Sequence, residues 1–448
     1  MSSIARPCLR IVVVGAGPAG LCAATALRQD GHIVTVIERQ RALQHRGNAL
    51  VIQPAAVKAL RNIKGAHDAL NRVSVANEEL WWWSYKDSEP FAITRSVEKR
   101  FDTDRPSVQR VMHSLAMECS VEVLFGRNAV SITDHPTQPV ITTSDGDCLS
   151  ADLIIGADGI KSAIRKQIFP GVDVDPTTTR EAIFLSSLPG SVIRGNKQLA
   201  NRFAPGITHG TMGPGRFTLS RWLNDDSFGV QFVDVDHGKP SAVDSNWNTP
   251  ADLEELRRLF SDFNPLTRLL LDNIQTAERW QIATGAKLET WRSRTGRIVL
   301  LGDAAHAMIP HAAQGLSQGI EDGVSLARML RNTKLCGISR AIDAWVNLRK
   351  PRAELFAQRS LNNAVLRSLP DGPKQELRDQ KIKQLTKQVS QDTANVVMDM
   401  HAEQNSPPFQ KWMKEYDVVE EEDNFGNIVR YSMNLARLYL PSFPPLLK

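Results

Sequence analysis

The sequence predicts an α/β protein in which a helix-flanked parallel sheet carries an inserted antiparallel β-sheet and is followed by a helical C-terminal region. Three observations support this fold class. The N-terminal run reads strand, turn, helix, strand; two later strands end in a glycine and an acid; and the middle of the chain has short alternating runs. At 448 residues the chain exceeds what one hydrophobic core usually supports, so more than one domain is expected.

The first element is the run LRIVVVGAGPAGLCAATALRQDGHIVTVIER. A β-branched strand over residues 11–14 meets the turn GAGPAG, a helix with an apolar face follows, and a second strand over residues 33–37 ends on Glu38. In this Rossmann-like pattern the first glycine allows the tight turn, the second lets a pyrophosphate approach the backbone, and the third lets helix and strand pack closely. Glu38 follows the last glycine by eighteen residues, close to the ~20 expected of an acid that bonds a ribose hydroxyl. We predict a dinucleotide site, in which this carboxylate favours FAD or NAD over NADP.

Two further predicted buried strands also end in a turn that contains a glycine and an acid. One over residues 153–155 runs into GADG, which contains Asp158, and the other lies in GRIVLLGD, which ends on Asp303. Because ligands collect at the carboxyl ends of strands in an open parallel sheet, these turns are expected to lie near the GAGPAG turn.

The inserted part is recognised by a change in the hydrophobic pattern over residues 181–235. Runs such as RFTLSRWL and SFGVQFVDV alternate apolar and polar residues between Gly, Pro and Asp turns, which is typical of antiparallel strands. After residue 343 the chain becomes helical and rich in charge. We predict a discontinuous dinucleotide-binding domain over residues 1–75, 100–180 and 275–340, a substrate-binding domain over 76–99 and 181–274, and a helical C-terminal region over 341–448.

Composition excludes several classes of function. The 54 Lys and Arg residues exceed the 49 Asp and Glu by only five and are interspersed with them, so nucleic-acid binding has little support. Five widely spaced cysteines without a CxxC pair argue against a disulfide framework or a zinc site. No apolar run approaches the ~18 residues of a transmembrane segment, and no signal sequence is evident. A cytoplasmic monomer or homodimer is expected.

Asp303, His306 and His311 could be interpreted as the ligands of a metal site. The two histidines are five residues apart with Pro310 between them, so they do not share a helix face as an i, i+4 zinc pair would. We predict no metal site and a packed His306, while His311 stays open. In WWWSY, Trp81 and Trp83 should face one side of a strand and the middle tryptophan the other, and a role as substrate wall stays open beside ordinary packing.

The motifs GAGPAG, GADG and LGDAAH with QGLSQGIED, in this order, resemble those of the class A flavoprotein monooxygenases of the para-hydroxybenzoate and salicylate hydroxylase type. The resemblance spans residues 11–330, and WMKEYDV is similar to the tail of fungal salicylate-hydroxylase-like members. It implies a GR2-type FAD-binding domain in the Rossmann-like part of the chain. The implied reaction uses NAD(P)H and O₂ and passes through a flavin C4a-hydroperoxide. Its substrate would be a phenol, an aromatic acid or another electron-rich small molecule, in secondary metabolism or phenol breakdown.

Alternatives within this class are decarboxylative hydroxylation and the epoxidation of an indole or alkene. An alternative from another class is a flavin-binding reductase or a flavoprotein that does not insert oxygen.

The resemblance assigns the FAD site residue by residue. Arg110 matches the arginine that reaches the cofactor from the helix after RPS. Asp158 matches the DG motif, which is associated with FAD and with the transient binding of NAD(P)H. The ADP-binding fingerprint is matched by Gly15, Gly17, Gly20 and Glu38.

The flavin end is assigned in the same way. Gly47 and Asn48 in GNAL match the backbone that runs past the flavin, and Asp303 matches the acid that bonds the ribityl chain. Gly315 and Leu316 match the segment beside the isoalloxazine ring. A helix N-terminus there would stabilise the negative charge of reduced flavin.

The substrate domain departs from the fungal pattern. The turn GPGR is present, but Arg221 stands at the apparent position of a tyrosine and Leu185 near that of an arginine. We predict Arg221 as the catalytic cation, flanked by Trp222 and able to hold a carboxylate or phenolate. The alternative is that Arg221 is a solvated strand residue.

Overall fold

The computed structural model describes residues 8–43, 47, 49–238, 248–331, 333–389, 398–402 and 406–421. The strands are β1 Arg10–Val14, β2 Ile33–Glu38, β3 Ala49–Ile52, β4 Val75–Ser84, β5 Ala92–Asp104, β6 Glu122–Phe125, β7 Ala129–Thr133, β8 Val140–Thr143, β9 Cys148–Ser150, β10 Leu153–Gly156, β11 Thr177–Pro189, β12 Ile207–Gly213, β13 Arg216–Asn224, β14 Ser227–Asp234, β15 Asn248–Pro250, β16 Glu278–Thr284 and β17 Ile298–Leu300. The helices are α1 Pro18–Gln29, α2 Pro54–Leu60, α3 Ala66–Arg72, α4 Arg105–Glu118, α5 Ala163–Ile168, α6 Gly190–Gly195, α7 Lys197–Arg202, α8 Leu253–Leu259, α9 Pro265–Asp272, α10 Asp303–His306, α11 Gly315–Leu330, α12 Thr333–Cys336, α13 Ile338–Arg367, α14 Pro373–Val389 and α15 Pro407–Glu415.

The first sheet is parallel and has the strand order β17-β10-β1-β2-β6. Its central strands are continuous apolar runs, and four of the five residues of β1 are buried, as expected of a parallel sheet that is covered on both faces. Since the strands run in the same direction, the turns after β1, β10 and β17 lie at one edge. The prediction of a Rossmann-like α/β unit is confirmed.

The second sheet has nine strands in the order β15-β16-β11-β14-β13-β12-β4-β5-β3, all neighbours being antiparallel except the pair β12 and β4. One face packs against α7, α8 and α9 over a core rich in phenylalanine. The predicted antiparallel sheet is confirmed, and it draws on strands from residue 49 onward. The boundaries between domains stay a prediction.

The C-terminal region is helical, as predicted, over the part that the structure describes. The long helix α13 packs against α11, and α15 packs against α2. None of the described helices is long and apolar enough to cross a membrane. The C-terminal helices therefore lie against other helices and, where α14 contacts β5, against the antiparallel sheet.

Candidate active site

A cavity of about 1730 Å³ lies where the carboxyl edge of the parallel sheet, the antiparallel sheet and the C-terminal helices meet. It exceeds the roughly 300–1,000 Å³ of an ordinary small-molecule pocket, so it has room for a large cofactor together with a second ligand. Nine residues predicted for the site line it: Gly15, Gly17, Gly20, Glu38, Asp158, Arg221, Asp303, Gly315 and Leu316.

Each of the three glycines in the first turn is suited to its position for a different structural reason. Gly15 has φ +111°, and a Cβ there would lie 2.4 Å from the Ala157 carbonyl oxygen, while a Cβ on Gly20 would lie 2.2 Å from the Gly15 oxygen. A Cβ on Gly17 would meet no atom within 4 Å. Gly17 is also the N-cap of α1, so the space beside it is open to a group at a helix N-terminus, where a pyrophosphate is favoured.

Glu38 is fixed at the end of β2 by backbone donors. Its Oε2 accepts from the Ala16 N–H at 2.8 Å and its Oε1 from the Gln40 N–H at 2.8 Å. The carboxylate is thus tied to the glycine turn and stands on the cavity wall, where its remaining lone pairs can accept from ribose hydroxyls.

Asp158 shapes the turn after β10. Its Oδ1 accepts from Ser162 Oγ at 2.6 Å, and its Oδ2 accepts from the Ala163 N–H at 2.7 Å at the start of α5. Burial raises the pKa of Asp158, and these hydrogen bonds oppose the rise. Arg165 then donates to the Ala304 carbonyl at 2.9 Å, which joins this turn to the turn at Asp303.

Asp303 begins α10 directly after Gly302, whose φ of +58° turns the chain at the end of β17. Its carboxylate is exposed to the cavity and lies beside the start of α11, since a Cβ on Gly315 would be 3.8 Å from Asp303 Oδ1. Within the described ranges no hydrogen bond to this carboxylate is found. An accepting carboxylate and a helix N-terminus therefore face the same space, which suits the hydroxyls and the electron-rich ring edge of a flavin.

Arg110 does not reach the cavity. Its side chain is exposed and donates to Ser107 Oγ at 2.9 Å. Arg105, the first residue of α4, lines the cavity, and Arg110 lies about 140° further round the helix. Asp104 caps this helix and Pro106 follows, a start signal that could have pointed to Arg105.

Of the remaining two predicted positions, one lies beside this helix start. Gly47 contacts Arg105, since a Cβ on it would lie 2.8 Å from the arginine Cβ. Asn48 lies outside the described residues. Sequence reasoning also missed Gln109, which lines the cavity and donates to the Ala16 carbonyl at 2.7 Å.

The two histidines of the opening motif have separate acidic partners. His306 is buried with Nε2 2.6 Å from Asp322 Oδ2, as expected of a packed residue. His311 lines the cavity with Nε2 2.6 Å from Glu181 Oε2. Burial lowers the pKa of His311, and the Glu181 carboxylate opposes this. In the described ranges no group of three His, Cys, Asp or Glu side chains could hold a metal ion.

The antiparallel sheet supplies the wall opposite these turns. Arg221 is buried on the cavity side with its Nε 3.8 Å from Asp102 Oδ1, so it is not a solvated strand residue. Trp222 does not flank it. Successive strand residues face opposite sides, and the Trp222 indole donates to the Phe203 carbonyl at 2.7 Å within the core beneath.

The tryptophan run alternates as predicted. Trp82 lines the cavity, whereas Trp81 and Trp83 stack on the other face with ring centroids 6.4 Å apart.

Residues 9–193 and 231–360 match the protein family described as FAD binding domain. The chain belongs to this family. An FAD-dependent monooxygenase, OpS4 of Beauveria bassiana, is 27% identical over 442 residues, which cover 95% of this chain and 98% of that protein. Salicylate hydroxylase of Pseudomonas putida is 27% identical over 396 residues, which cover 81% of this chain and 87% of that protein.

Two solved structures share the fold. A salicylate hydroxylase substrate complex superposes with a TM-score of 0.76 at 21% identity, covering 93% of this chain and 98% of the other. CtdE in complex with FAD and a substrate gives 0.74 at 22%, covering 95% of this chain and 100% of the other. The prediction of an FAD-dependent monooxygenase of the salicylate hydroxylase-like type is confirmed.

Proposed function

We propose that this flavoprotein hydroxylates a phenol or aromatic acid with O₂ and NAD(P)H. The observation that carries the proposal is the continuity of the cavity. It joins the residues that fit FAD to a wall of the antiparallel sheet on which Trp82 offers an aromatic surface and Arg221 a buried cation. The names of relatives agree, since they include 3-amino-4-hydroxybenzoate 2-monooxygenase of Streptomyces cremeus and 6-hydroxynicotinate 3-monooxygenase of Pseudomonas fluorescens.

FAD, when bound, would supply the redox chemistry by accepting a hydride from NAD(P)H and activating O₂. The chain's own residues bind and orient it. The open space at Gly17 would take the pyrophosphate, Glu38 the ribose and Asp303 the ribityl hydroxyls. The N-terminus of α11 would stabilise negative charge on the ring. Residues of both sheets line the cavity and would limit access of water to a ring bound there.

His311 would hold the proton of a phenolic substrate. An ionised carboxylate only accepts hydrogen bonds, so Glu181 fixes the tautomer in which Nε2 of His311 carries the hydrogen. Nδ1 is then the basic atom, and among described residues no hydrogen bond to it is found. A deprotonated phenol is more electron-rich and hence a better acceptor of oxygen. His311 thus serves as the base and Glu181 as the residue that orients it.

The function is tested by oxygen uptake with the FAD-loaded protein, using NADH or NADPH and a panel of phenols and aromatic acids. At least one compound should stimulate nucleotide oxidation and yield a product that carries one atom from ¹⁸O₂. Stimulated oxidation that yields only hydrogen peroxide for every compound would indicate a reductase. No stimulation across the panel would contradict hydroxylation.

Asp303→Ala should weaken FAD binding about tenfold or more while leaving the protein folded. Its carboxylate makes no hydrogen bond that folding within the described part depends on, whereas hydrogen bonds to a charged group are worth roughly 1.5–3 kcal/mol to a ligand. The measurement is titration of apoprotein with FAD, followed by flavin fluorescence. Asp225→Ala, an exposed turn residue, is the matched control. Unchanged FAD affinity in Asp303→Ala would show that the carboxylate does not bind the cofactor.

His311→Gln should lower kcat by about 100-fold near neutral pH, the size expected of a lost general base. In the wild type, burial places the pKa of His311 below 6.5, so activity should be full above that pH and fall as acid protonates Nδ1. The variant should lack this acid limb and recover at high pH, where the phenol ionises unaided. His135→Gln, an exposed histidine, is the control. A pH profile identical to that of the wild type would remove His311 from the mechanism.

A further inference from the structure

Four cationic side chains from distant parts of the sequence line the cavity together: Arg100 on β5, Arg359 and Arg367 on α13, and Lys414 on α15. We refer to them as the cation cluster. Arg367 donates to the His311 carbonyl at 2.8 Å, which places the cluster beside the turn that leads into α11. The cluster therefore faces the part of the cavity where the proposed function puts the substrate.

Few carboxylates among the described residues lie close to the cation cluster. Within the described residues, no carboxylate oxygen lies within 4 Å of Arg359, Arg367 or Lys414. Arg100 has Asp102 at 3.4 Å, but that carboxylate also lies 3.8 Å from Arg221 and accepts hydrogen bonds from neighbouring strands.

Aromatic rings stand in place of acids around the arginines. The Arg367 guanidinium lies 5.6 Å from the Trp82 ring centroid and 5.7 Å from that of Phe217, and Arg359 lies 5.4 Å from the Phe409 ring. Cation–π contacts of this kind steady a guanidinium without neutralising it.

The charged state of the cluster is held at a cost in free energy. Burial lowers the pKa of Arg359 to about 10, and burial followed by repulsion from Arg359 and Arg100 lowers that of Arg367 to about 10. The pKa of Lys414 is lowered by the same causes in the same order, against a smaller opposing effect of Glu415. Uncompensated like charges in a desolvated cavity are unfavourable, and an anionic ligand would offset that cost.

We propose that the cation cluster binds the carboxylate of an aromatic acid, so that the C-terminal helices select acids over neutral aromatics. The inference rests on the proposed function and deepens it by naming the substrate class. Trp82 beside Arg367 lines the cavity and offers a surface for the ring of such a substrate, while the guanidinium can bind its carboxylate in a bidentate manner. The phosphates of NAD(P)H share this anionic chemistry, and the test separates the two sources.

The test compares Arg359→Gln and Lys414→Gln with the wild type as FAD-loaded proteins. The probes are three matched pairs of acid and amide: salicylate and salicylamide, 4-hydroxybenzoate and 4-hydroxybenzamide, and 2-naphthoate and 2-naphthamide. Binding is read from the change in flavin absorbance, without turnover. The wild type should bind at least one acid about tenfold or more tightly than its amide. Each variant should lose about tenfold for that acid and less than twofold for the amide.

Controls separate binding from structure. Arg257→Gln, a partly exposed arginine on α8 paired with Glu254, should change no affinity. Both cluster variants should keep or raise the melting temperature, because they relieve repulsion, and a purely structural role would lower it.

Three outcomes would overturn the proposal. The first is equal affinity of the wild type for acid and amide in all three pairs, and the second is an unchanged acid preference in both variants. The third is that the variants raise only the KM for NAD(P)H, which would assign the anion to the nicotinamide cofactor. Because binding is read without turnover, absence of hydroxylation would contradict the proposed function and leave the acid preference measurable.

Discussion

Gly17→Val is expected to give a folded protein that binds FAD more than about a thousandfold less tightly than the wild type. Gly17 has an ordinary backbone conformation, with φ −70° and ψ 167°, and an added Cβ would meet no protein atom within 4 Å. The new side chain would therefore cost folding little. It would occupy the space at the N-terminus of α1 where the backbone has to approach the pyrophosphate.

Two matched variants separate this effect from instability. Gly195→Val places the same side chain at a helical glycine of α6 where a Cβ also meets nothing within 4 Å, and it should leave FAD affinity unchanged. Gly15→Ala forces a Cβ against the Ala157 carbonyl at φ +111° and should impair folding itself. The measurements are melting temperature of the apoproteins and FAD titration. Tight FAD binding by Gly17→Val would show that the pyrophosphate lies elsewhere.

The cofactor side of the site could be predicted from the sequence because its signals are local. The spacing within GAGPAG and the distance to Glu38 are set by one strand, turn, helix and strand, whose geometry depends little on the rest of the chain. Asp303 followed from the same rule, since it comes directly after the turn that follows β17 of the same sheet. The structure brings all of these residues to one cavity.

The substrate side and the cofactor assignment of Arg110 could not be predicted in the same way, because they depend on how the helices and strands pack. Arg110 was placed at the cofactor by resemblance, but the start of α4 turns Arg105 inward instead. Trp222 was placed beside Arg221, although neighbours on a strand face opposite sides. The cation cluster brings a residue of β5 together with residues of two C-terminal helices that lie more than 250 positions later in the sequence. No periodicity in the sequence predicts this contact.

The C-terminal helices are also coupled to the cofactor side through a buried ionic network. Arg349 on α13 donates to Asp322 Oδ1 at 2.9 Å and to Glu321 Oε2 at 2.8 Å on α11. Asp322 Oδ2 accepts from the Gly302 N–H at 3.1 Å, directly before Asp303. Burial alone would raise the pKa of Asp322, but His306 and Arg349 hold it below its usual value.

Arg349→Met is expected to destabilise the protein by about 3–5 kcal/mol, because it leaves Glu321 and Asp322 buried with too little positive charge. The melting temperature should fall by on the order of 10 °C. FAD affinity should fall as well, since the carboxylate that holds the Gly302 N–H loses Arg349 and keeps, among the described side chains, only His306 as a partner. Thermal unfolding and FAD titration measure the two effects.

The double variant Arg349→Met, Asp322→Asn distinguishes lost charge balance from lost packing. It removes the charge of Asp322 with little change of side-chain volume and leaves Glu321 paired with Arg352 at 2.8 Å, so it should recover most of the stability that Arg349→Met loses. Arg257→Met, at a partly exposed ion pair, should change stability by less than about 1 kcal/mol. If the double variant were no more stable than Arg349→Met, the network would act through packing of the arginine rather than through its charge. Recovery of stability without recovery of FAD affinity would then assign the charge of Asp322 specifically to holding the Gly302 turn, which is the link between the C-terminal helices and the cofactor.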